Sequence, residues 1–201
     1  AAIATGKQVI VVGGTGLYVK AITDGIETMS VPINQGLRDE LEPLSITKLQ
    51  ERLTSIDQKK FASMNNSDSL NPRRLVRAIE IASSPIVPTQ SKKIISDPKI
   101  IGLKYSDERV HQNNILNRVM SRLELGAVTE TERLLKEYGD SVQSMSAIGY
   151  KSIIKYLRKE FTEDQMIVTW VNDEMAYVKR QMTWFRKVKS IQWSEIDQQR
   201  A

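Results

Sequence analysis

Val9-Ile10-Val11-Val12-Gly13-Gly14-Thr15-Gly16-Leu17-Tyr18 runs four β-branched residues into a glycine-rich turn and then into an apolar, helix-compatible segment. Unbroken apolar character bounded by glycines suits a parallel strand covered on both faces, so the stretch predicts a buried strand with a loop at its carboxyl end. In open α/β sheets, ligands sit outside that end of the strands. Gly13, Gly14 and Gly16 would let backbone N–H groups approach a phosphate, and Thr15 adds a hydroxyl at the same place. Two familiar glycine motifs do not fit. Thr5-Gly6-Lys7 lacks the upstream glycine and the trailing hydroxyl residue of a Walker A loop, and Val19 stands where a dinucleotide fingerprint needs its third glycine.

Working outward, the strand has no partner before it and few candidates after it, which predicts that the chain is the later part of a longer α/β protein. Ala1 to Lys7 reads as the end of a helix and a tight turn. Val19 to Gly25 completes a short helix, and Met29-Ser30-Val31-Pro32 is a proline-marked boundary. From Asn34 to Ser84 the pattern is helical throughout: Leu37, Leu41 and Leu44 recur at helical spacing, Ser45 can cap a helix carrying Leu49 and Leu53, and Asn71-Pro72 is a helix start. Pro88 to Pro98 is a polar connector. Lys99 to Leu103 reads as the other strand of the sheet.

A long helix is expected from about Ser106 to Gly126, with Ile115, Val119, Met120 and Leu123 inward. Thr129 and Glu132 have the spacing of a capping box for the next helix, and Thr162 with Gln165 for the last. In that last helix Ile167, Val171, Met175, Val178, Met182 and Phe185 form the expected buried stripe, with Lys179, Thr183, Arg186 and Lys187 opposite.

A hydrophobic content of 40% and a charged content of 26% are those of a soluble globular protein. The absence of cysteine removes disulfides and cysteine-built metal sites and fits a cytosolic protein. No apolar run approaches the roughly 18 residues of a membrane span. The net charge of +5 permits a polyanionic partner.

Three arginines, Arg73, Arg74 and Arg77, fall in the first two turns of one helix, where cations oppose the macrodipole. An anionic ligand would explain them; so would pairing with nearby carboxylates such as Glu80. Arg118 and Arg122 lie four apart on the long helix and can project together to clamp a diphosphate. His111, the only histidine, has no partner visible in the sequence and is not read as catalytic.

Four blocks, in this order and at these distances, resemble tRNA dimethylallyltransferase (tRNA isopentenyltransferase): Gly13 to Tyr18, Pro72 to Glu80, Ile148-Gly149-Tyr150-Lys151, and Lys179 to Arg186. The resemblance covers essentially the whole chain. It implies a P-loop NTPase-like α/β core, incomplete in this chain and helix-rich overall, formed by residues 1–28 and 97–201, with a helical tRNA-binding insertion at 29–96. Family members carry a further amino-terminal part with a Walker-type phosphate loop and an aspartate general base, so this chain alone is expected to be inactive.

The implied reaction moves a dimethylallyl group from dimethylallyl diphosphate to the exocyclic amine of the adenine 3′-adjacent to the anticodon. The implied partners are the tRNA anticodon stem-loop and Mg2+ on the diphosphate, its ligands largely outside this chain. The implied setting is a cytoplasmic monomer without membrane attachment. By motif, Arg118 would contact the diphosphate and Thr15 the target nucleotide, these two being the catalytic candidates. Arg38, the block Arg73, Arg74, Leu75, Val76 and Arg77, and the block Ser146, Ala147, Ile148, Gly149, Tyr150 and Lys151 would contact tRNA. Lys179, Arg180 and Arg186 would face phosphates. Asn114 stands where the family usually repeats an arginine, Glu174-Met175 where it usually has Thr-Arg, and Ser67 to Leu70 replaces a histidine-proline element. A tRNA-binding remnant without catalysis is the alternative; a nucleotide-dependent oxidoreductase is disfavoured by Val19 and by the helical insertion.

Overall fold

The computed structural model describes residues 5–6, 8–89, 95 and 97–196. Residues 1–4 and 7 of the expected helix end, and 90–94 and 96 of the connector, lie outside the described residues. The chain forms two compact units, residues 17–97 and residues 1–16 with 98–201. The unit of residues 17–97 takes in helix α1 (Gly16–Thr23) after its first residue, together with residues 29–96.

In the helical unit, α2 (Gln35–Leu41), α3 (Ile46–Ile56), α4 (Gln58–Ala62), α5 (Asn66–Ser69) and α6 (Pro72–Ala82) follow one another closely. Each starts where a short polar side chain meets an orphan backbone N–H: Asn34 accepts from Leu37, Ser45 from Lys48, Asp57 from Lys60, Asn65 from Asp68 and Asn71 from Arg74. The apolar face of α6 supplies Leu75, Ala78 and Ile79, which pack with Leu41, Leu49 and Leu53. Leu75 is fully buried, worth about 1.5–3 kcal/mol of transfer free energy.

The other unit holds a two-stranded parallel sheet, β1 (Ile100–Tyr105) and β2 (Ile191–Ile196), in register from Ile100 opposite Ile191 to Tyr105 opposite Ile196. Parallel neighbours need a crossover. It consists of α7 (Glu108–Glu124), α8 (Ala127–Tyr138), α9 (Tyr150–Leu157) and the long α10 (Glu163–Phe185). Gly102 lies opposite Trp193, and a Cβ there would come within 2.7 Å of the indole ring, so glycine is what lets the side chain of Trp193 cross the ladder. The core between the helices is Ile115, Val119, Ile153, Met166, Trp170 and Val171.

Several expectations need correction. Val9–Val12 is not a buried strand: it is irregular and exposed, Val12 to 92%, because nothing among the described residues offers it a hydrogen-bonding partner, and an apolar run without a ladder is not a strand. The strand that pairs with β1 is instead Ile191–Ile196, whose alternating polar residues hid it. Helix α8 starts two residues before Thr129, after Gly126 in the left-handed conformation, so the expected capping box does not form. That at Thr162 and Gln165 does. The α10 stripe is rotated: Met166 and Trp170 are in the core beside Val171, while Ile167, Met175 and Val178 pack at its margin. On α7, Ile115 and Val119 are buried, and Met120 is exposed.

Candidate functional site

The sheet unit brings two features of the sequence onto α10. The first is the glycine loop. The Gln181 carboxamide donates to the Gly14 carbonyl at 2.9 Å, and a Cβ on Gly14 would collide with the same carboxamide. A Cβ on Gly16 would run into the Trp184 indole. Gly16 is therefore demanded by close approach to the Trp184 ring of α10, whereas the flexible end of Gln181 can swing away from a Cβ on Gly14; Thr15, exposed between them, is carried on a loop that touches α10 on both sides. Gly13 is exposed, with open space where a Cβ would stand.

The second feature is the arginine pair on α7. Arg118 Nη2 donates to Glu174 Oε2 at 3.0 Å, and Arg122 Nη1 to Glu174 Oε1 at 3.3 Å. Both arginine side chains are half exposed, whereas that of Glu174 retains 12%. Glu174 and Gln181 are seven residues apart on α10, two turns and about 10 Å along one side of the helix. The arginine pair and the glycine loop thus meet the same side of α10.

The surroundings of Arg118 extend along α7. His111 stacks on Tyr105 with ring centroids 4.3 Å apart, and the Tyr105 hydroxyl accepts from Asn114 Nδ2 at 3.3 Å. Burial, and then the Arg118 cation, push the His111 imidazole below its usual range against the opposing pull of Glu108, favouring the neutral ring. His111 was not expected in this cluster, and Glu174 was marked only as a departure from the family's Thr-Arg, without its pairing to α7. Their helical spacing from Asn114 and Arg118 would have placed His111 on that face, but no pattern in the sequence pairs α7 with Glu174.

The helical unit sorts its arginines differently. Glu80 is fully buried. It accepts from Arg38 Nε and Nη2, each at 3.0 Å, from the backbone N–H of Asn34 at 2.7 Å, and from Arg77 Nη1. Arg77 Nη2 also donates to the carbonyls of Thr28 at 2.6 Å and Val31 at 2.9 Å. Burial alone would raise the Glu80 carboxyl; the hydrogen bonds from Arg38, Arg77 and Asn34 outweigh it and hold the group at about 2. Arg38 and Arg77 are thus committed to a structural carboxylate. Leu75 is in the core and Val76 packs against it, so neither offers its side chain to a surface ligand. Arg73 and Arg74 are exposed, Arg74 with Asp68 as ion-pair partner.

Of the third block, Gly149 is buried, with φ of 95° and Trp170 Cζ2 2.7 Å from where its Cβ would be. Glycine there serves packing. Ser146 donates to Gln143 at the end of a 3₁₀ turn, Ile148 packs at the core margin, and Tyr150 donates to Glu130 at 2.7 Å. Ala147 and Lys151 are exposed. Beyond them, Lys179, Arg180 and Arg186 are exposed on or just past α10, with Lys179 3.8 Å from Glu108 and Arg180 over the Tyr177 ring. Among the described residues no group of three or more His, Cys, Asp or Glu could hold a metal ion, and no helix is long and apolar enough to cross a membrane.

The family model "IPP transferase" matches residues 1–188. The chain belongs to that family. Among curated relatives it is 35% identical over 189 residues to the tRNA dimethylallyltransferase of Exiguobacterium sp., covering 91% of this chain and 60% of that protein. It is 36% identical over 202 residues to tRNA dimethylallyltransferase 2 of Geotalea uraniireducens, covering 94% and 64%. The chain therefore spans about three-fifths of the length of these relatives. Among solved structures, the full-length tRNA isopentenylpyrophosphate transferase of Bacillus halodurans superposes with a TM-score of 0.58 at 30% identity, over 96% of this chain and 61% of that one. The fold is that of the tRNA isopentenylpyrophosphate transferases: a helix-rich, P-loop-like α/β protein.

Proposed function

We propose that this IPP transferase-family chain serves the transfer of a dimethylallyl group from dimethylallyl diphosphate to the exocyclic amine of the adenine 3′-adjacent to the tRNA anticodon, acting as a monomer in the cytoplasm. The observation that carries the reading is the alignment, along one side of α10, of an arginine pair and a clamped glycine loop in a chain of this family. In the reaction the amine nitrogen bonds to the allylic carbon, the carbon–oxygen bond to the diphosphate breaks, and the nitrogen gives up a proton. Charge accumulates on the departing diphosphate, where a fixed guanidinium stabilises it. Arg118 fills that role. Thr15, on its anchored loop, contacts the target nucleotide, which has to be turned out of its stack to be reached. Magnesium on the diphosphate takes its ligands largely from outside this chain. Arg73 and Arg74, exposed at the start of α6, meet RNA phosphates.

A second reading, RNA binding without transfer, is favoured by the carboxylate that already occupies Arg118. Radiolabel transfer from dimethylallyl diphosphate to an anticodon stem-loop, measured beside stem-loop binding on the chain joined to the amino-terminal phosphate-loop part that the family carries, separates the two. Labelling lost on Arg118→Ala with binding retained supports transfer; binding without labelling supports the second reading. A chain that neither binds nor labels the stem-loop sinks both.

A further inference from the structure

The α7 arginines read in sequence as a double cation, but in the fold they form a triad with one carboxylate, of formal charge +1. Glu174 sits between the two guanidinium heads with one oxygen toward each. It is mostly buried and carried on the packed helix α10, so it is held in place. The contacts are single hydrogen bonds of 3.0 and 3.3 Å, not bidentate forks, and the heads remain half exposed. A diphosphate arriving at Arg118 seeks the same donors that the carboxylate holds and meets its like charge.

We propose that Glu174 sets the affinity of the anion site at Arg118 and Arg122: its carboxylate is a built-in counter-ion that a diphosphate has to displace, so the site holds that anion weakly and releases it readily. The inference rests on the reading of Arg118 as a diphosphate contact and adds the residue that tunes it. Replacing the carboxylate by an amide of the same size removes one negative charge several ångströms from a multiply charged ligand. At the effective dielectric of a half-exposed site this is worth about tenfold in affinity.

The test is calorimetric titration of inorganic pyrophosphate into the full chain at fixed ionic strength, with circular dichroism melts confirming the fold. Glu174→Gln is expected to tighten binding about tenfold, the gain shrinking as salt is raised and vanishing in Glu174→Gln/Arg118→Ala. Glu174→Thr carries the same expectation and replaces the amide should that variant not fold. If wild-type binding is lost in Arg118→Ala but Glu174→Gln binds no more tightly, Glu174 does not set the affinity while the reading of Arg118 stands. If Arg118→Ala binds like wild type, that reading falls and this inference with it. Absence of binding by every protein, Glu174→Gln included, also overturns the inference.

Discussion

Two carboxylates in this chain each hold two arginines, and their surroundings set them apart. Glu80, at 1% side-chain exposure, ties Arg38 and Arg77 together in the helical unit, and Arg77 is further tied to the Thr28 and Val31 carbonyls. Glu174, at 12%, joins two half-exposed arginines through single hydrogen bonds in the sheet unit. The same residue types therefore do opposite things. A buried, fully bonded carboxylate makes arginines part of the framework, since removing it strands charge away from water; a carboxylate under exposed guanidinium heads leaves them open to an outside anion.

The sharpest way to break this comparison is catalytic. If Arg118 is available to substrate, then in the protein joined to the amino-terminal phosphate-loop part that the family carries, Arg118→Ala should lower dimethylallyl transfer by about two orders of magnitude or more, the range for losing one fixed electrostatic donor. RNA binding by the same variant should change little. Rates of labelled transfer to a stem-loop check it, and full activity of the variant would place Arg118 with the framework arginines.

Of comparable size is the buried triad. Glu80→Gln should cost about 3 kcal/mol or more, because two arginines lose the charge they are packed against. The pH dependence has a definite sign. The folded carboxyl is held at about 2, below its ordinary value of 4.5, so its contribution is fully present above 4.5 and is lost as pH falls toward 2. Urea midpoints between pH 6 and 2 should fall for the wild type and fall by less for Glu80→Gln. Parallel curves would mean that Glu80 is not the group titrating.

A smaller effect separates arginines that sequence placed together. Arg73→Ala should reduce the salt slope of RNA binding by roughly one unit at unchanged stability, the signature of one lost phosphate contact. Arg77→Ala should instead lower stability, through Glu80 and the carbonyls of Thr28 and Val31. Equal slope changes for both would return Arg77 to the RNA surface.

That division shows what the sequence made legible. Capping residues, the helical unit and the leucine core follow from local chemistry, and Ser45, Asn71 and Thr162 act as read. The glycine block marked a real constraint at Gly16, but its cause is Trp184, 168 residues further on, which no local pattern reveals. Val9–Val12 was misread for the same reason: pairing is a property of two segments, and periodicity speaks only for one. The arginine block Arg73 to Arg77 looked uniform because helical spacing does not say which member turns toward a buried glutamate.

The smallest expected effect tests the comparison most directly, because it asks whether Glu174 is framework after all. Glu174→Gln removes two ion pairs, each between a carboxylate and a half-exposed guanidinium, and such pairs are worth about 0.2–1 kcal/mol because water and salt compete for both partners. Repulsion between Arg118 and Arg122, one turn apart on α7, adds a few tenths more. The helices themselves stay joined by Ile115, Val119, Met166 and Trp170, which the substitution leaves untouched. The loss should therefore stay near 1 kcal/mol, well under that of Glu80→Gln, and should shrink as salt is raised, which the Glu80 loss should not. Urea unfolding of the two variants at low and high salt measures both differences. Equal losses, or a Glu174→Gln loss indifferent to salt, would show that burial is not what divides the two triads.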